Sequence, residues 1–460
     1  MEGRDWLTCD PIGWDELRGR AVVVVFWSYG CEASLVRLRQ MAEIAGSVEA
    51  PITVIGVHTP RFPYEEHLHQ LTSAVAQHHM AVPIVNDPEY ITWNRYNPEG
   101  WPATVVIDAR GRVLGSQVGT DRLDVITEAL GLALQTTGAV GAIERSREVG
   151  AVPVAHPLPL PTEGLAYPTS VAVRPGGDLV VADSANDRLL VFELGHDLRE
   201  ATAVAEIDGF DHPTGVVADG QGIYVCEPTH GRVSHLDLVG RNRRLLTDDL
   251  VAPTSSVLDV DGSLVVADSG AEKLYRIVLN GPHAATMGLI AGTGVTGAGD
   301  GPAGEADLAQ PTGLARTEVG LVFCDAASSN IRLLTDAGKV ATITGNGFFD
   351  WGLVDGPAHK AMLQRPSDLA VLDDGSIIIV DTGNNRLRRL ASRRIRTLGL
   401  NGLNRPSGVC ALPTGHLVVA DTGNCRLVVV EPDLHTAWTL QLRGILPPPR
   451  VGAALSSPAV

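Results

Sequence analysis

Lysine is almost absent from this sequence, and acidic residues outnumber basic ones. Only Lys273, Lys339 and Lys360 occur among 460 residues, and the formal net charge is −17. Proteins that bind nucleic acid neutralise its phosphates with clustered lysine and arginine, so we expect no nucleic-acid partner. The remaining cations are arginines, a bias that favours a GC-rich bacterial genome as the source.

Cysteine and long apolar runs are also scarce. No apolar stretch approaches the ~18 residues of a membrane-spanning helix, and the N-terminus lacks the basic and apolar segments of a secretory signal. The cysteines are too widely scattered for a zinc motif or a disulfide framework: Cys9, Cys31, Cys226, Cys324, Cys410 and Cys425. We therefore expect a reducing, cytoplasmic location and no membrane partner.

Instead, one sequence motif, which we call the phrase, occurs six times after residue 166. Each copy opens with Pro-Ser or Pro-Thr, enters a short apolar run and then a β-branched run. The phrase prolines recur at intervals of 40 to 58 residues: Pro168, Pro213, Pro253, Pro311, Pro366 and Pro406. A repeat of this period, made of short β-rich runs and turn residues, predicts the blades of a β-propeller.

Each copy contains three strand-length runs, and a fourth run lies between successive copies. In the fifth copy the three runs are residues 369–372, 377–380 and 387–390. The Asp374-Gly375 pair between the first two runs is a hairpin signal. Four antiparallel strands in each of six copies predict a six-bladed all-β propeller over residues 167–445.

An acidic residue ends the second run of every copy: Asp183, Glu227, Asp268, Asp325, Asp381 and Asp421. A carboxylate at a strand end accepts N–H bonds from the next turn and pairs with a following arginine, as Asp381 would with Arg386 and Asp421 with Arg426. Because one such residue occurs in every copy, we interpret the set as structural. A lyase or hydrolase with a central metal would need inner-strand histidines, which the copies lack, so we expect no metal and no cofactor.

Residues 1–135 follow a different pattern, that of an α/β domain. Strand, helix, strand, helix, hairpin and helix follow each other at residues 22–27, 35–44, 52–57, 64–79, 104–117 and 121–134. This is the order of a thioredoxin-like domain. Residues 136–166 form a Pro/Gly-rich, semi-rigid linker that could add a strand to close the ring. Residues 446–460 are a Pro-rich tail that we expect to be disordered.

Specific segments carry a resemblance to a known family. Residues 24–35 (VVFWSYGCEASL) stand where a thioredoxin has its active-site turn, and residues 100–113 (GWPATVVIDARGRV) resemble the segment with its cis-proline. Together with the six phrases, which resemble NHL repeats, they identify the chain as similar to the NHL-repeat-containing protein 2-like family. That resemblance implies a thioredoxin-like domain followed by an NHL-type propeller.

The chain departs from the family at the expected redox motif. Family members usually carry Cys-x-x-Cys preceded by another cysteine, whereas here Cys31 is kept, Ser34 stands at the resolving position and Gly30 precedes. A cysteine that opens a helix favours the thiolate, so we expect an exposed nucleophile at Cys31. Without a second thiol at position 34, a mixed disulfide would persist until Cys9 or a low-molecular-weight thiol resolved it.

Other residues are assigned by their position in the resemblance. Pro102 would be cis, and Trp101 and Pro102 would lie opposite Cys31. His58, at the end of its strand, either approaches the same edge or is an ordinary strand-end histidine. Ser28, three residues before Cys31, has a spacing seen in peroxiredoxins and leaves a weak thiol peroxidase open.

Two functions remain open. The first is a monomeric binding or scaffold protein whose propeller face holds a protein or peptide. Its partner surface would be Phe348, Phe349 and Trp351, in one of two long loops at residues 292–306 and 345–361 that otherwise only brace their blades. The second is a monothiol thiol-disulfide oxidoreductase with Cys31 as nucleophile. We interpret His67, His69, His78 and His79 as a solvated face.

Overall fold

The computed structural model describes residues 5–144, 154–282, 284–345, 347–348 and 350–445. The N-terminal domain is a six-stranded sheet in the order β1-β4-β3-β2-β5-β6. Its elements are β1 (Asp5–Trp6), α1 (Trp14–Leu17), β2 (Ala21–Trp27), α2 (Glu32–Ser47), β3 (Ile52–His58), α3 (Leu68–Gln77), β4 (Ile84–Asn86), α4 (Ile91–Tyr96), β5 (Ala103–Ile107), β6 (Val113–Val118) and α5 (Leu123–Glu144). The predicted thioredoxin-like order is confirmed.

Strand β2 organises this domain because it is apolar on both faces. All seven of its residues are buried, and it pairs in parallel with β3 and antiparallel with β5. Alternate side chains enter two different cores. Val23, Val25 and Trp27 join the core of α2, α3 and α5, while the intervening residues join that of α1 and α4. The strand therefore ends four residues before Cys31, with its last residue, Trp27, fixed in the core.

The final helix is longer than the sequence predicted. Helix α5 ends at Glu144, whereas the prediction ended it at residue 134 and began a linker at 136. Part of the predicted linker is thus helical, because the absence of proline before residue 153 lets the helix continue. Residues 145–153 and the predicted disordered tail, 446–460, lie outside the described residues. Among the residues described, no helix has the length and apolar character to cross a bilayer.

Residues 168–443 form the predicted six-bladed propeller. Each blade is an antiparallel sheet of four consecutive strands, and three blades gain a short fifth strand. The first three blades are β7 (Pro168–Val173), β8 (Leu179–Asp183), β9 (Arg188–Leu194) and β10 (Glu200–Ile207); β11 (Gly215–Ala218), β12 (Ile223–Glu227), β13 (Arg232–Leu236) and β14 (Arg244–Thr247); and β15 (Pro253–Leu258), β16 (Leu264–Asp268), β17 (Lys273–Ile277) and β18 (Met287–Ala291). The fourth and fifth blades are β20 (Pro311–Thr317), β21 (Gly320–Asp325), β22 (Asn330–Thr335) and β23 (Lys339–Thr342), with β19 (Gly301–Pro302), and β25 (Pro366–Val371), β26 (Ile377–Asp381), β27 (Arg386–Ala391) and β28 (Arg394–Thr397), with β24 (Gly356–Pro357). The sixth blade is β29 (Gly408–Ala411), β30 (Leu417–Asp421), β31 (Arg426–Val430) and β32 (Ala437–Thr439), and the last strand, β33 (Gln441–Arg443), is added to the first blade.

The ring closes where the sixth blade meets the first. The innermost strands β29 and β7 are in contact, and the Ser407 hydroxyl donates to the Thr169 carbonyl at 2.8 Å. The C-terminal strand β33 then pairs in parallel with the outer strand β10. The described part of the linker, residues 154–166, supplies no strand, and the strand that joins the first blade comes instead from the C-terminal end.

Hydrogen bonds between blades explain why the phrase has a Ser or Thr directly after its proline. In the second and fifth blades it also donates to the next blade, Thr214 to the Thr254 carbonyl at 3.2 Å and Ser367 to the Ser407 carbonyl at 2.9 Å. These bonds lie around the central axis, where alternative partners for a carbonyl are few. In five of the six copies the Ser or Thr after the proline thus joins neighbouring blades, whereas Thr254 bonds to Ser269 of its own blade.

The acidic residue of each copy is structural, as interpreted from the sequence. Asp421 accepts the N–H of Asn404 at 2.7 Å and pairs with Arg426 at 2.7 Å, as predicted. Asp381 instead pairs with Arg388 at 2.6 Å, so the prediction of Arg386 was wrong. Because side chains two residues apart on a strand lie on the same face, the alternation of residues could not show which of Arg386 and Arg388 pairs with Asp381.

Candidate functional site

The thioredoxin-like domain covers the centre of the propeller, and several of the propeller residues that contact it share one position in the repeat. This position immediately precedes each phrase proline, and we call the set the pre-proline ring: Tyr167, His212, Ala252, Gln310, Arg365 and Arg405. All except Ala252 have a φ between +44° and +57°. A positive φ is uncommon for residues other than glycine and clusters at functional positions. The ring therefore marks this face of the propeller.

Cys31 lies against this ring rather than in solvent. It directly precedes helix α2, and the Nε2 amide of Gln310 donates to its Sγ at 3.1 Å. The side chain is only 1% exposed. Burial raises the pKa of the Cys31 thiol and outweighs the opposing effects of the Arg61 charge and of Ser34. The expectation of an exposed thiolate at Cys31 is wrong, because a second domain covers the turn.

The residue before Cys31 is held by the same ring. The Nε of Arg365 donates to the Gly30 carbonyl at 2.9 Å, and its Nη2 lies 3.7 Å from the Glu32 carboxylate. A Cβ at position 30 would collide with the carboxylate of Glu65 and lie 2.7 Å from the Tyr64 hydroxyl. The turn therefore has no room for the cysteine that the family usually carries there.

Ser34 and Ser28 lie on either side of Cys31, and both are buried. The Ser34 N–H donates to the Cys31 carbonyl at 2.9 Å, as in the first turn of a helix. The Ser28 hydroxyl donates to Glu65 at 2.8 Å, and burial raises the pKa of that carboxyl. Ser28 thus orients a carboxylate behind the turn, an arrangement that the spacing alone did not suggest.

His58 packs behind the turn. Its ring stacks on Tyr29 with centroids 5.4 Å apart, and its Nδ1 lies 3.2 Å from the Asn86 side-chain oxygen. Burial lowers the pKa of His58 to about 4, so the imidazole is neutral near pH 7. Of the two interpretations, the structure places His58 as an ordinary strand-end histidine.

A large cleft separates the two domains beside Cys31. Its volume is about 1190 Å³, and its walls include Cys31, Trp101 and Pro102 from one domain and Phe348 and Trp351 from the other. The Trp101–Pro102 bond is cis, as expected. Trp351 is 38% exposed. Aromatic side chains from both domains therefore border this cleft.

Two of the three loop residues chosen as a partner surface, Phe348 and Trp351, line the cleft. Trp351 contacts Phe62 of the thioredoxin-like domain edge to face at 6.4 Å, and Phe348 lines the same cleft. Phe349 lies outside the described residues. The loops also brace their blades, since Asp300 pairs with Arg332 at 2.9 Å and Asp355 with Arg388 at 2.8 Å.

Glu272 is a buried carboxyl in the cleft that sequence reasoning missed. It accepts the N–H of Gln310 and the Thr296 hydroxyl, the latter at 3.0 Å. Burial raises the pKa of Glu272 to about 8. Gln310 therefore connects this carboxyl, through its backbone, with the Cys31 thiol, through its side chain.

Two of the four histidines assigned to a solvated face contact the propeller. The His78 ring packs on His212 with centroids 4.5 Å apart, and His79 Nε2 lies 2.9 Å from the Ala185 carbonyl. The solvated interpretation was therefore wrong for His78, whereas His79 is exposed and touches the propeller through one ring nitrogen. The sequence did contain a signal for a contact surface on the propeller: the residue before each phrase proline varies, while the rest of the phrase repeats.

No group of three or more metal-ligating side chains occurs within the described ranges.

The comparisons with known proteins agree with the two-domain fold. The NHL repeat model matches residues 165–192, 363–390 and 403–430, and a thioredoxin-like model matches residues 19–113.

Similar curated proteins align with both domains. NHL repeat-containing protein 2 of Bos taurus is 25% identical and that of Homo sapiens 26%, over 84% of this chain and 61% of either relative. Protein SUPPRESSOR OF QUENCHING 1, chloroplastic, of Arabidopsis thaliana is 24% identical, over 86% of this chain and 42% of its own length. The chain thus spans about three fifths of the length of the first two relatives.

Proposed function

This chain, a relative of NHL repeat-containing protein 2, joins a thioredoxin-like domain to an NHL-repeat propeller, and from that premise we propose that it is a binding protein. Its ligand is an extended peptide segment of a partner protein, held in the cleft between the domains. The observation that carries this proposal is the cleft itself. Its 1190 Å³ exceeds the about 300–1,000 Å³ of a typical small-molecule pocket.

The walls of the cleft suit a peptide. Trp101 and Trp351 provide aromatic surface, of the kind that is enriched at the energetic centres of interfaces. Arg61 and Glu272 provide a cation and a titratable carboxyl. Cys31 is present at the wall but protonated, which supports binding over turnover. The six cysteines, all free, support a cytoplasmic location.

The test is selection of peptides from a random library displayed on phage against the full chain, followed by affinity measurements on the best sequence. Trp351→Ala should weaken binding by about 10-fold or more, as removal of an aromatic anchor does. Val319→Ala, at a 64% exposed residue that does not line the cleft, should leave it unchanged. Equal affinity of Trp351→Ala and the parent protein would place the peptide elsewhere and reject the proposal.

A second candidate is monothiol exchange at Cys31, favoured by the Gln310 amide at its sulfur. The Cys31 thiolate would attack a client disulfide, form a mixed disulfide and release the second client sulfur as a thiolate. A low-molecular-weight thiol would then attack the mixed disulfide, restoring Cys31 and leaving that thiol bonded to the client. Ser34→Cys supplies a resolving thiol and should speed turnover of a small disulfide. If Cys31→Ser leaves all exchange and peroxide rates unchanged, this candidate fails.

A further inference from the structure

Arg405 is a buried cation that faces the centre of the propeller. Its side chain belongs to a residue only 7% exposed, and its Nε and Nη2 atoms have no hydrogen-bond partner among the described residues. The nearest aromatic rings, Tyr29 and Tyr167, lie 6.0 Å from the guanidinium carbon. Buried charges are normally paired and hydrogen-bonded. The three most deeply buried propeller arginines obey this rule: Arg188, Arg332 and Arg388 each hold a carboxylate.

A small cavity adjoins Arg405 beneath the thioredoxin-like domain. Its volume is about 130 Å³, and all six blades contribute to its wall the hydroxyl residue that follows the phrase proline or its neighbours. His212, 2% exposed, also lines it, and neither ring nitrogen of His212 has a partner among the described residues. One of these nitrogens carries a hydrogen in either neutral tautomer. Arg405 and His212 therefore bring donors without described acceptors to this cavity.

The charge around the cavity is not balanced by its own carboxylates. Glu32 is the acidic side chain in the described wall, and it lies 3.7 Å from Arg365. With Arg365 and Glu32 offsetting each other, the positive charge of Arg405 is left over. In a buried site that charge is poorly screened, so a bound anion would be held strongly.

We propose that this central cavity binds a small free oxyanion, of the class of phosphate, sulfate or a short carboxylate. Arg405 supplies the charge, and His212 supplies a further donor. A volume of about 130 Å³ is room for a few water molecules or one such ion, not for a nucleotide. The site differs from the cleft beside Cys31 and does not depend on the peptide-binding proposal.

Isothermal titration of the full chain with inorganic phosphate, sulfate and acetate tests this proposal and separates the tetrahedral anions from the planar one. Arg405→Gln removes the charge and should weaken binding by about 10- to 100-fold, as loss of a charged hydrogen-bonding group does. Arg405→Lys keeps the charge and should lose less. Arg396→Gln, at an exposed arginine of β28, is the matched control and should bind as the parent does.

Absence of binding of all three anions to the parent protein would overturn the proposal without any variant. Equal affinities of the parent and Arg405→Gln would also overturn it, because the ion would then bind elsewhere. If Arg405→Gln does not fold, His212→Asn provides the second variant. Weaker binding by His212→Asn supports the site, and unchanged binding rejects it. Each result leaves the peptide selection on the cleft unaffected.

Discussion

Replacing Arg365 with methionine should expose Cys31. The substitution keeps the aliphatic volume but removes the bond to the Gly30 carbonyl and the ion pair with Glu32, both of which join the two domains. A hydrogen bond to a charged group contributes about 1.5–3 kcal/mol. At about 1.4 kcal/mol per factor of ten, the population in which the domains separate at this point should rise by roughly 10- to 100-fold.

Alkylation of Cys31 reports that population. An unperturbed thiol with a pKa near 8.5 is about 3% ionised at pH 7, and the buried Cys31, whose pKa is raised, is less ionised still. Reaction from the closed arrangement is therefore slow, and local opening governs the rate. Timed iodoacetamide pulses with mass spectrometry of the Cys31 peptide should show the same 10- to 100-fold increase in Arg365→Met.

The controls lie in the same chain. Cys324, fully buried in β21, measures unfolding of a blade and should stay protected in both proteins. Arg396→Met, at an exposed arginine of β28, should react as the parent does. The reasoning is refuted if Cys31 of the folded parent reacts as fast as in the urea-unfolded chain, or if Arg365→Met leaves its rate unchanged.

Three further substitutions test the propeller and the cleft. Asp381→Ala should lower the free energy of unfolding in urea by about 3 kcal/mol, because it removes a partner from the buried Arg388. Ser407→Ala should cost about 1 kcal/mol by the same measurement, since it loses the bond to Thr169 that closes the ring. Glu272, whose pKa of about 8 lies above its unfolded value of about 4.3, binds more protons when folded. Stability should therefore fall as pH rises from 5 to 8, by up to roughly 1.4 kcal/mol per unit, and Glu272→Gln should remove this slope in thermal unfolding.

Each of these has a result that would contradict it. Asp374→Ala, at a half-exposed surface pair, should cost under about 1 kcal/mol, and an equal effect of Asp381→Ala would deny the structural role of Asp381. A Ser407→Ala protein as stable as its parent would mean that the ring closes without this bond. An unchanged pH dependence in Glu272→Gln would mean that the Glu272 carboxyl is not the titrating group.

The sequence was sufficient for features that are decided locally. The phrase repeats because each blade needs the same hairpins and the same carboxylate below its turn, and because most blades use its hydroxyl to contact the next blade. The two-domain order followed from the change of pattern near residue 135. Pro102 could be recognised because its flanking segment resembles that of thioredoxins. All of these features depend on neighbours in the chain or in the adjacent repeat.

The choice of arginine partner shows where local pattern stops being enough. Asp183 and Asp421 pair with the arginine five residues later, whereas Asp325 and Asp381 pair with the one seven residues later. The latter two blades are those with the long Asp-Gly-Pro loops, whose aspartates Asp300 and Asp355 bind the same arginines. A loop from outside the strand therefore selects the partner.

Burial of Cys31 could not be predicted because another domain imposes it. A cysteine that opens a helix favours the thiolate only where water or donors reach its sulfur. Here Gln310, 279 residues further along the chain, covers that sulfur. Neither the helix nor the Cys-x-x-Ser spacing contains information about this contact. The sequence of the turn alone therefore predicted a Cys31 thiol that is more reactive than the structure allows.

The pre-proline ring resolves how a near-symmetric propeller can hold a domain with no matching symmetry. The backbone of each repeat forms the same strands and turns, so the side chain before the proline can differ from blade to blade. Those differences match the surface that each blade meets: Gln310 donates to a sulfur, Arg365 to a carbonyl, and His212 packs on an imidazole. Because the same ring covers Cys31, any chemistry at that thiol depends on separation of the two domains.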